Sequence, residues 1–183
     1  MYSFPFYPMK SVCFGLLIGW AALGSAAAPE PWSAVAPVQR WAEVATTTEL
    51  LRQCNAYRQQ AGLPPLVLSE TACRAARLQA VYNLTHHTHG HYHPQYATPR
   101  QRLTAVGHQF ERANGFLSYG YENCVRFRGM RPAHLNRIEA QILRAYQASP
   151  KHNAVLLAPH PTKVGIATVY DGDEVQNSMV FCI

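Results

Sequence analysis

Three short strings in this sequence carry residues able to do chemistry. Gly120-Tyr121-Glu122-Asn123 sets a carboxylate beside a tight turn, and Ser149-Pro150-Lys151-His152-Asn153 sets an imidazole just after a predicted helix. Upstream, His86-His87-Thr88-His89-Gly90-His91-Tyr92-His93 holds five imidazoles. Neutral imidazole ligates transition metals. Two histidines with one carboxylate suit zinc and leave a position open for water. A metal in such a site lowers the pKa of its bound water, so the set is compatible with hydrolysis. The same groups also form purely structural clusters by hydrogen-bonding one another. The alternate spacing of His87, His89, His91 and His93 chelates only on an extended or looped backbone, since helical neighbours lie three and four apart. Other chemistries are not encoded: Gly-x-Ser-x-Gly, a phosphate loop and a dinucleotide fingerprint are all missing from the sequence.

The elements that must position these groups follow from periodicity. Thr46 followed by Glu49 reads as a capping box, and Leu50, Leu51, Cys54, Tyr57 and Arg58 recur at helical spacing until Gly62 and Pro64-Pro65 stop the helix. A second helix fits Ser69 to about Asn83, with Ala72, Ala75, Ala76 and Ala80 keeping one face small enough for close packing. The histidine stretch is then a loop. Thr98-Pro99 opens a short third helix that Gly107 ends, with Leu103 and Val106 inward. Residues 109–118 read as an exposed loop, Tyr119 to Phe127 as a strand, and Leu135 to Ala148 as a helix. A hairpin closes the chain, with Val164 to Tyr170 and Val175 to Cys182 joined at Asp171-Gly172-Asp173. Helices, strand, helix and hairpin in that order predict a layered α+β domain, not a parallel βαβ sheet.

The 183 residues have room for one domain. Lys10, the apolar run Ser11 to Leu23 and the small residues Gly24 to Ala28 predict a signal peptide over 1–27, cut after Ala26 or Ala27. The run is too short for a good membrane span, and Cys13 lacks the flanking residues of a lipid-attachment box. Positions 28–45 are Pro/Ala-rich and read as a linker, leaving 46–183 as the domain. Cys54, Cys73, Cys124 and Cys182 remain after the leader. An even number in an exported chain predicts two disulfides, in any of three pairings. Their wide spacing, with no Cys-x-x-Cys, makes them poor metal ligands. The sequence pI is near 9.2. Arg126, Arg128 and Arg131 are a local basic patch, read as a solvated loop. Nucleic-acid binding is not expected without stacked aromatics on a basic face.

The ordered set of motifs resembles a known family. Asn55-Ala56-Tyr57-Arg58, Gly62-Leu63-Pro64-Pro65-Leu66, the small-residue helix leading to a histidine, Thr98-Pro99, Gly-Tyr-Glu-Asn at 120–123, Ser149-Pro150-Lys151-His152 and the Val164-Gly165-Ile166 strand occur in sequence. Together they resemble the CAP superfamily of cysteine-rich secretory, antigen 5 and pathogenesis-related proteins, in its small bacterial secreted (SCP-like) branch. The resemblance spans nearly all of 46–183. Counted from Thr98-Pro99 and from the Ala75-Ala76 helix, it places the site histidine at His91, with His87 and His89 as runners-up. It matches Glu122 and His152 to the other two positions. Three departures stand out. Tyr121 precedes the glutamate where glycine is usual, Tyr146 stands where tryptophan is usual, and the second cleft glutamate of larger members has no clear counterpart. Glu139 and Gln141 both fit that neighbourhood. The loop from His108 to Ser118 is also longer than usual.

The resemblance implies a three-layer α-β-α sandwich with a mostly antiparallel central sheet. It also implies a secreted, periplasmic or extracellular location. Three functions remain open. The first is a secreted binding or interaction module for a lipid, sterol or protein, with a His91/Glu122/His152 cleft taking a divalent metal such as zinc. The second is a metal-assisted extracellular hydrolase in which Glu122 is the catalytic group. The third is a His-rich metal-scavenging or structural envelope protein.

Overall fold

The computed structural model of the chain describes residues 40–110, 112–113, 116–117 and 121–183. Its elements are α1 (Arg40–Gln60), β1 (Val67–Leu68), α2 (Glu70–Thr85), α3 (Pro99–Ala105), β2 (Arg112–Ala113), β3 (Phe116–Leu117), β4 (Tyr121–Phe127), a 3-10 turn (Pro132–Arg137), α4 (Ile138–Ala148), α5 (Pro150–Leu156), β5 (Lys163–Asp171) and β6 (Glu174–Cys182). The main sheet runs β1-β5-β6-β4. β4–β6 and β5–β6 are antiparallel, whereas the two-residue β1 lies parallel to β5, so the sheet is mixed.

Alternation along β5 and β6 builds the two interior layers. Val164, Ile166, Met179 and Phe181 pack with Leu50 and Cys54 of α1 and Ile142 and Tyr146 of α4. Ala167, Val169, Val180 and Cys182 face the other way, onto Ala72, Ala75 and Ala76 of α2 and Leu103 of α3. All nine positions of β6 are consequently buried. Each fully buried Leu, Ile or Phe contributes about 1.5–3 kcal/mol.

The small face of α2 has the consequence expected of it. At Gly165 the α2 backbone crosses so closely that an added Cβ would sit 1.9 Å from the Ala72 carbonyl carbon and 2.2 Å from the Cys73 nitrogen. Glycine there is a steric requirement. The Asn55 and Arg58 pair of α1 has an equally local role. The Asn55 side chain brackets Leu66, donating to its carbonyl at 2.9 Å and accepting from its N–H at 2.8 Å. Arg58, 1% exposed, donates to the carbonyls of Pro64, Leu156 and Ala158. Those bonds tie the loop after α1 to the C-terminal end of α5, where a cation also favours the helix dipole.

Several expectations need correction. Helix α1 begins at Arg40, so Thr46 is not its cap. Residues 40–45 (Arg-Trp-Ala-Glu-Val-Ala) are adequate helix formers and carry the helix through the threonines, and Glu49 instead accepts from Arg52 and Gln53. The expected leader over 1–27 and residues 28–39 of the expected linker lie outside the described residues, whereas 40–45, also read as linker, are the first part of α1. The region read as a loop over 109–118 contains the β2–β3 pairing, Arg112 opposite Leu117 and Ala113 opposite Phe116.

The expected disulfides are absent: no bond joins Cys54, Cys73, Cys124 or Cys182. The sheet explains part of this. Cys54 packs in the α1/α4 layer and Cys182 in the α2/α3 layer, and Cys124 shares the face of Glu122, two residues along β4. Cys73 Sγ accepts the Ile166 N–H at 3.4 Å.

Candidate functional site

β4 is an edge of the main sheet, so side chains from both layers can meet beside it. Glu122 and Asn123 are adjacent on β4 and therefore face opposite layers. Glu122 faces α2 and α3. Its side chain is 1% exposed, and both oxygens are engaged. Oε2 lies 2.9 Å from His91 Nδ1. Oε1 accepts from Ser178 Oγ at 3.0 Å and lies 2.7 Å from Arg102 Nη2. The Arg102 contact is an ion pair without good hydrogen-bond alignment. The Arg102 side chain is fully buried, and its Nη1 donates to the carbonyls of Tyr96 and His91.

Asn123 faces the α4/α5 layer and donates from Nδ2 to the His152 carbonyl at 3.0 Å. His152 does not merely follow a helix end. Pro150 takes the first turn of α5 and His152 lies within that helix. The sequence places His152 just after the helix that ends at Ala148, whereas Pro150 opens a further helix, a position to which proline is suited. Tyr146, which stands where tryptophan is usual, packs as an aromatic, meeting the His152 ring edge-on at 5.4 Å. Its hydroxyl lies 2.6 Å from Asn177 Oδ1.

The structure therefore brings His91, Glu122 and His152 to one place. His91 bonds Glu122 directly, and the His91 and His152 ring centres are 6.3 Å apart. Cys124 is a further neighbour, with one ligand-type atom each of His91, Glu122 and Cys124 within 4.8 Å of one another. Burial and then the Glu122 charge push the Cys124 thiol well up. It is thus a protonated thiol at neutral pH, and metals take the thiolate.

The two runners-up separate. His89 is close enough to His91 and His152 for their charges to matter. Partial burial first, then Arg126, His91 and His152, lower its pKa. Burial and then His91 lower that of His152. Both imidazoles are accordingly held toward the neutral, ligating form. His87 turns elsewhere, with positive φ (51°) and Nδ1 3.5 Å from Glu174.

The histidine loop is not a loose tether. Its carbonyls are gripped by side chains of the folded core. Gln176 donates to Thr88 O, Asn83 to Gly90 O, and Gln79 to Gly90 O and Tyr92 O. Arg126 and Arg128 both donate to His87 O, and Arg128 also reaches Glu174. These two arginines of the basic patch hold the loop instead of standing free in solvent. Neither Glu139 nor Gln141 hydrogen-bonds to the His91/Glu122 pair. The second polar partner at Glu122 is Arg102, which the sequence reading missed. Arg102 is spaced four residues before the inward Val106, and that spacing was the available signal.

The structure is a layered α-β-α domain with His91, Glu122 and His152 gathered at a sheet edge, and sequence comparison gives its family. The pattern of the CAP, cysteine-rich secretory protein family, matches residues 51–183, and the chain belongs to that family. Among solved structures it is similar to an outer surface protein from Borrelia burgdorferi (18% identity, TM-score 0.56, covering 74% of this chain and 90% of that one). It is also similar to an extracellular protein containing an SCP domain from Bacillus anthracis (20% identity, TM-score 0.59, 75% and 41%). A third is the CAP domain of enterococcal PrgA (16% identity, TM-score 0.53, 75% and 60%). At these identities the likeness is one of fold, and the chain spans less than two thirds of the Bacillus and enterococcal chains. No curated protein sequence matches this chain. No helix among the described residues is long and apolar enough to cross a membrane.

Proposed function

We propose that this chain is a secreted or periplasmic CAP binding module whose His91/Glu122/His152 cleft takes a divalent metal, zinc above all. Its ligand is an extracellular lipid, sterol or protein. One observation carries the reading: His91 is hydrogen-bonded to a buried Glu122 with the His152 ring beside it, on a fold shared with extracellular and outer-surface proteins. The donor chemistry fits a metal, since two imidazoles lowered in pKa or oriented by a carboxylate are the donors zinc prefers. A bound metal would supply an electrophilic anchor for a ligand carbonyl, phosphate or carboxylate. The chain's own residues would orient that anchor.

The hydrolase reading finds less support. Both oxygens of Glu122 already have partners, so the carboxylate is not poised to take a proton from water. The scavenger reading requires a loop able to wrap metal, and the carbonyl grips on residues 87–92 oppose such movement.

Elemental analysis of the purified, metal-equilibrated protein beside His91→Ala and His152→Ala tests the proposal. One zinc per wild-type chain, lost in both variants, is the expected result. Several ions per chain, retained in His152→Ala, would favour the scavenger, and turnover of peptide, ester or glycan substrates by the metal-loaded chain would favour the hydrolase.

A further inference from the structure

We infer that β4 is an acceptor edge that takes an extended, acidic segment of a partner protein as an added strand of the main sheet. The inference rests on the reading of this chain as a binding module and narrows its ligand to protein; it requires no metal.

The main sheet has two edges, and the chain treats them differently. At β1 the Val67 and Ser69 N–H groups bond the Thr162 and Val164 carbonyls, so those of Leu66 and Leu68 face away from the sheet. Asn55 closes the Leu66 position, accepting its N–H and donating to its carbonyl as a neighbouring strand would. β1 is also only two residues long. β4 pairs with β6 over seven residues without a bulge, from Tyr121 opposite Phe181 to Phe127 opposite Val175. Alternate residues of such a strand turn their N–H and C=O groups to opposite sides. Every second residue of β4 therefore directs both groups away from β6. Among the described residues, none of 121–127 makes a backbone hydrogen bond beyond β6, and only the Asn123 carbonyl takes a side-chain donor, the Tyr146 hydroxyl. Bulges and prolines commonly blunt an edge, and β4 has neither.

Charge selects the occupant. The chain carries a formal +6 at pH 7. Arg126 lies within β4, and Arg128 and Arg131 follow it. Glu174 compensates Arg128 at 3.4 Å. Arg126 bonds a carbonyl, that of His87, and neither it nor Arg131 has a carboxylate partner among the described residues. A second copy would bring the same cations to one shared edge, which like charge disfavours. An acidic segment is attracted by them.

Side chains favour protein over lipid. Glu122 belongs to β4, so an added strand runs beside the cleft. Tyr121 and Tyr92, the neighbours of Glu122 and His91 in sequence, are 43% and 64% exposed. Tyrosine is enriched where proteins meet. The large exposed aliphatic residues among those described, Val67 and Leu68, stand on β1 at the opposite edge. An acyl chain or sterol thus has no exposed aliphatic wall at the cleft to bury against.

The test pans displayed random twelve-residue peptides against the full chain in the presence of chelator, then measures binding of the enriched peptides by fluorescence anisotropy. Enriched peptides should carry Glu or Asp among β-branched residues. Their amide N-methylation should abolish binding at every second position and spare it at the positions between, a signature that side-chain contact alone does not give. Arg126→Glu should weaken binding by about tenfold, and Tyr121→Gly by about two- to fivefold. Val67→Ser, on the other edge, should leave it unchanged, with circular dichroism confirming that each variant is folded. No enrichment, basic or proline-rich winners, indifference to N-methylation, or full binding by a folded Arg126→Glu overturns the inference. So does a dimer of the wild type in sedimentation that Arg126→Glu leaves intact, since the edge would then belong to a second copy. Zinc content is measured separately on the same protein, so failure here leaves the metal reading standing, and absence of zinc leaves this inference standing.

Discussion

Replacing Arg102 by methionine should be among the most damaging single changes available outside the apolar core. The guanidinium is fully buried and faces a carboxylate with 1% exposure. Methionine fills much of the volume, so the packing loss is modest and the charge loss dominates. Removing one member of a buried pair costs about 3–5 kcal/mol, because the surviving charge has no water to turn to. The two carbonyl bonds to His91 and Tyr96 are lost in the same step, so the upper half of that range is expected. Against a typical total stability of about 5–15 kcal/mol, the variant should remain folded but marginal.

Urea denaturation followed by circular dichroism reads this directly. With a slope of about 2 kcal/mol/M, the midpoint should fall by roughly 2 M. A double-mutant cycle with Glu122→Gln separates pairing from packing. Glu122→Gln alone should also destabilise, and the double variant should lose at least about 2 kcal/mol less than the sum of the singles. A loss below about 1 kcal/mol for Arg102→Met, or strict additivity in the cycle, would show that the two charges do not depend on each other.

Three further outcomes follow from other parts of the molecule. Gly165→Ala sets a methyl against the α2 backbone at 1.9 Å. It should cost about 3 kcal/mol or more by overpacking, and a melting temperature within a few degrees of wild type would refute the close crossing. Burial pushes the Cys54 thiol up to about 12 and the Cys182 thiol up to about 11. Cys54 and Cys182 should therefore resist alkylation in the native protein, and all four domain cysteines should titrate as thiols after denaturation without reductant. Fewer than four would mean that disulfides form after all. Finally, His89, His93 and His152 have pKa values below the ordinary 6.5, in each case first through burial. Below pH 6.5 the unfolded chain takes up protons that the folded chain refuses, so stability is complete above 6.5 and falls with further acidification. The urea midpoint of the metal-free protein should drop between about pH 7.5 and 5.5, with a smaller drop in His152→Asn, and a flat profile would contradict the assignment.

Periodicity made the long elements readable. The small face of α2, the Thr98 cap and the closing hairpin depend on neighbours in the chain, and the structure carries all three. The residues alone leave five histidines open; it is the resemblance to the CAP superfamily that singles out His91, and the structure sets it against Glu122. What local pattern could not express was pairing across space. The spacing of Arg102 from Val106 places it on the inward face of a short helix, but nothing near it in the chain names Glu122 as its partner. The Cys54 and Cys182 thiols read as disulfide candidates until the sheet is interposed. α5 was lost because Ser149-Pro150 has the same local meaning at the end of one helix and the start of another.

The grip on the histidine loop has an evolutionary and engineering consequence. Its anchors seize backbone carbonyls, which every amino acid possesses, so the shape of residues 87–92 is set by Gln79, Asn83, Arg102, Arg126, Arg128 and Gln176 and not by what the loop displays. Side chains at 87, 89 and 92 can therefore be exchanged without redrawing the loop. The fold provides a socket of constant form, and lineages or designers can change its contents one residue at a time.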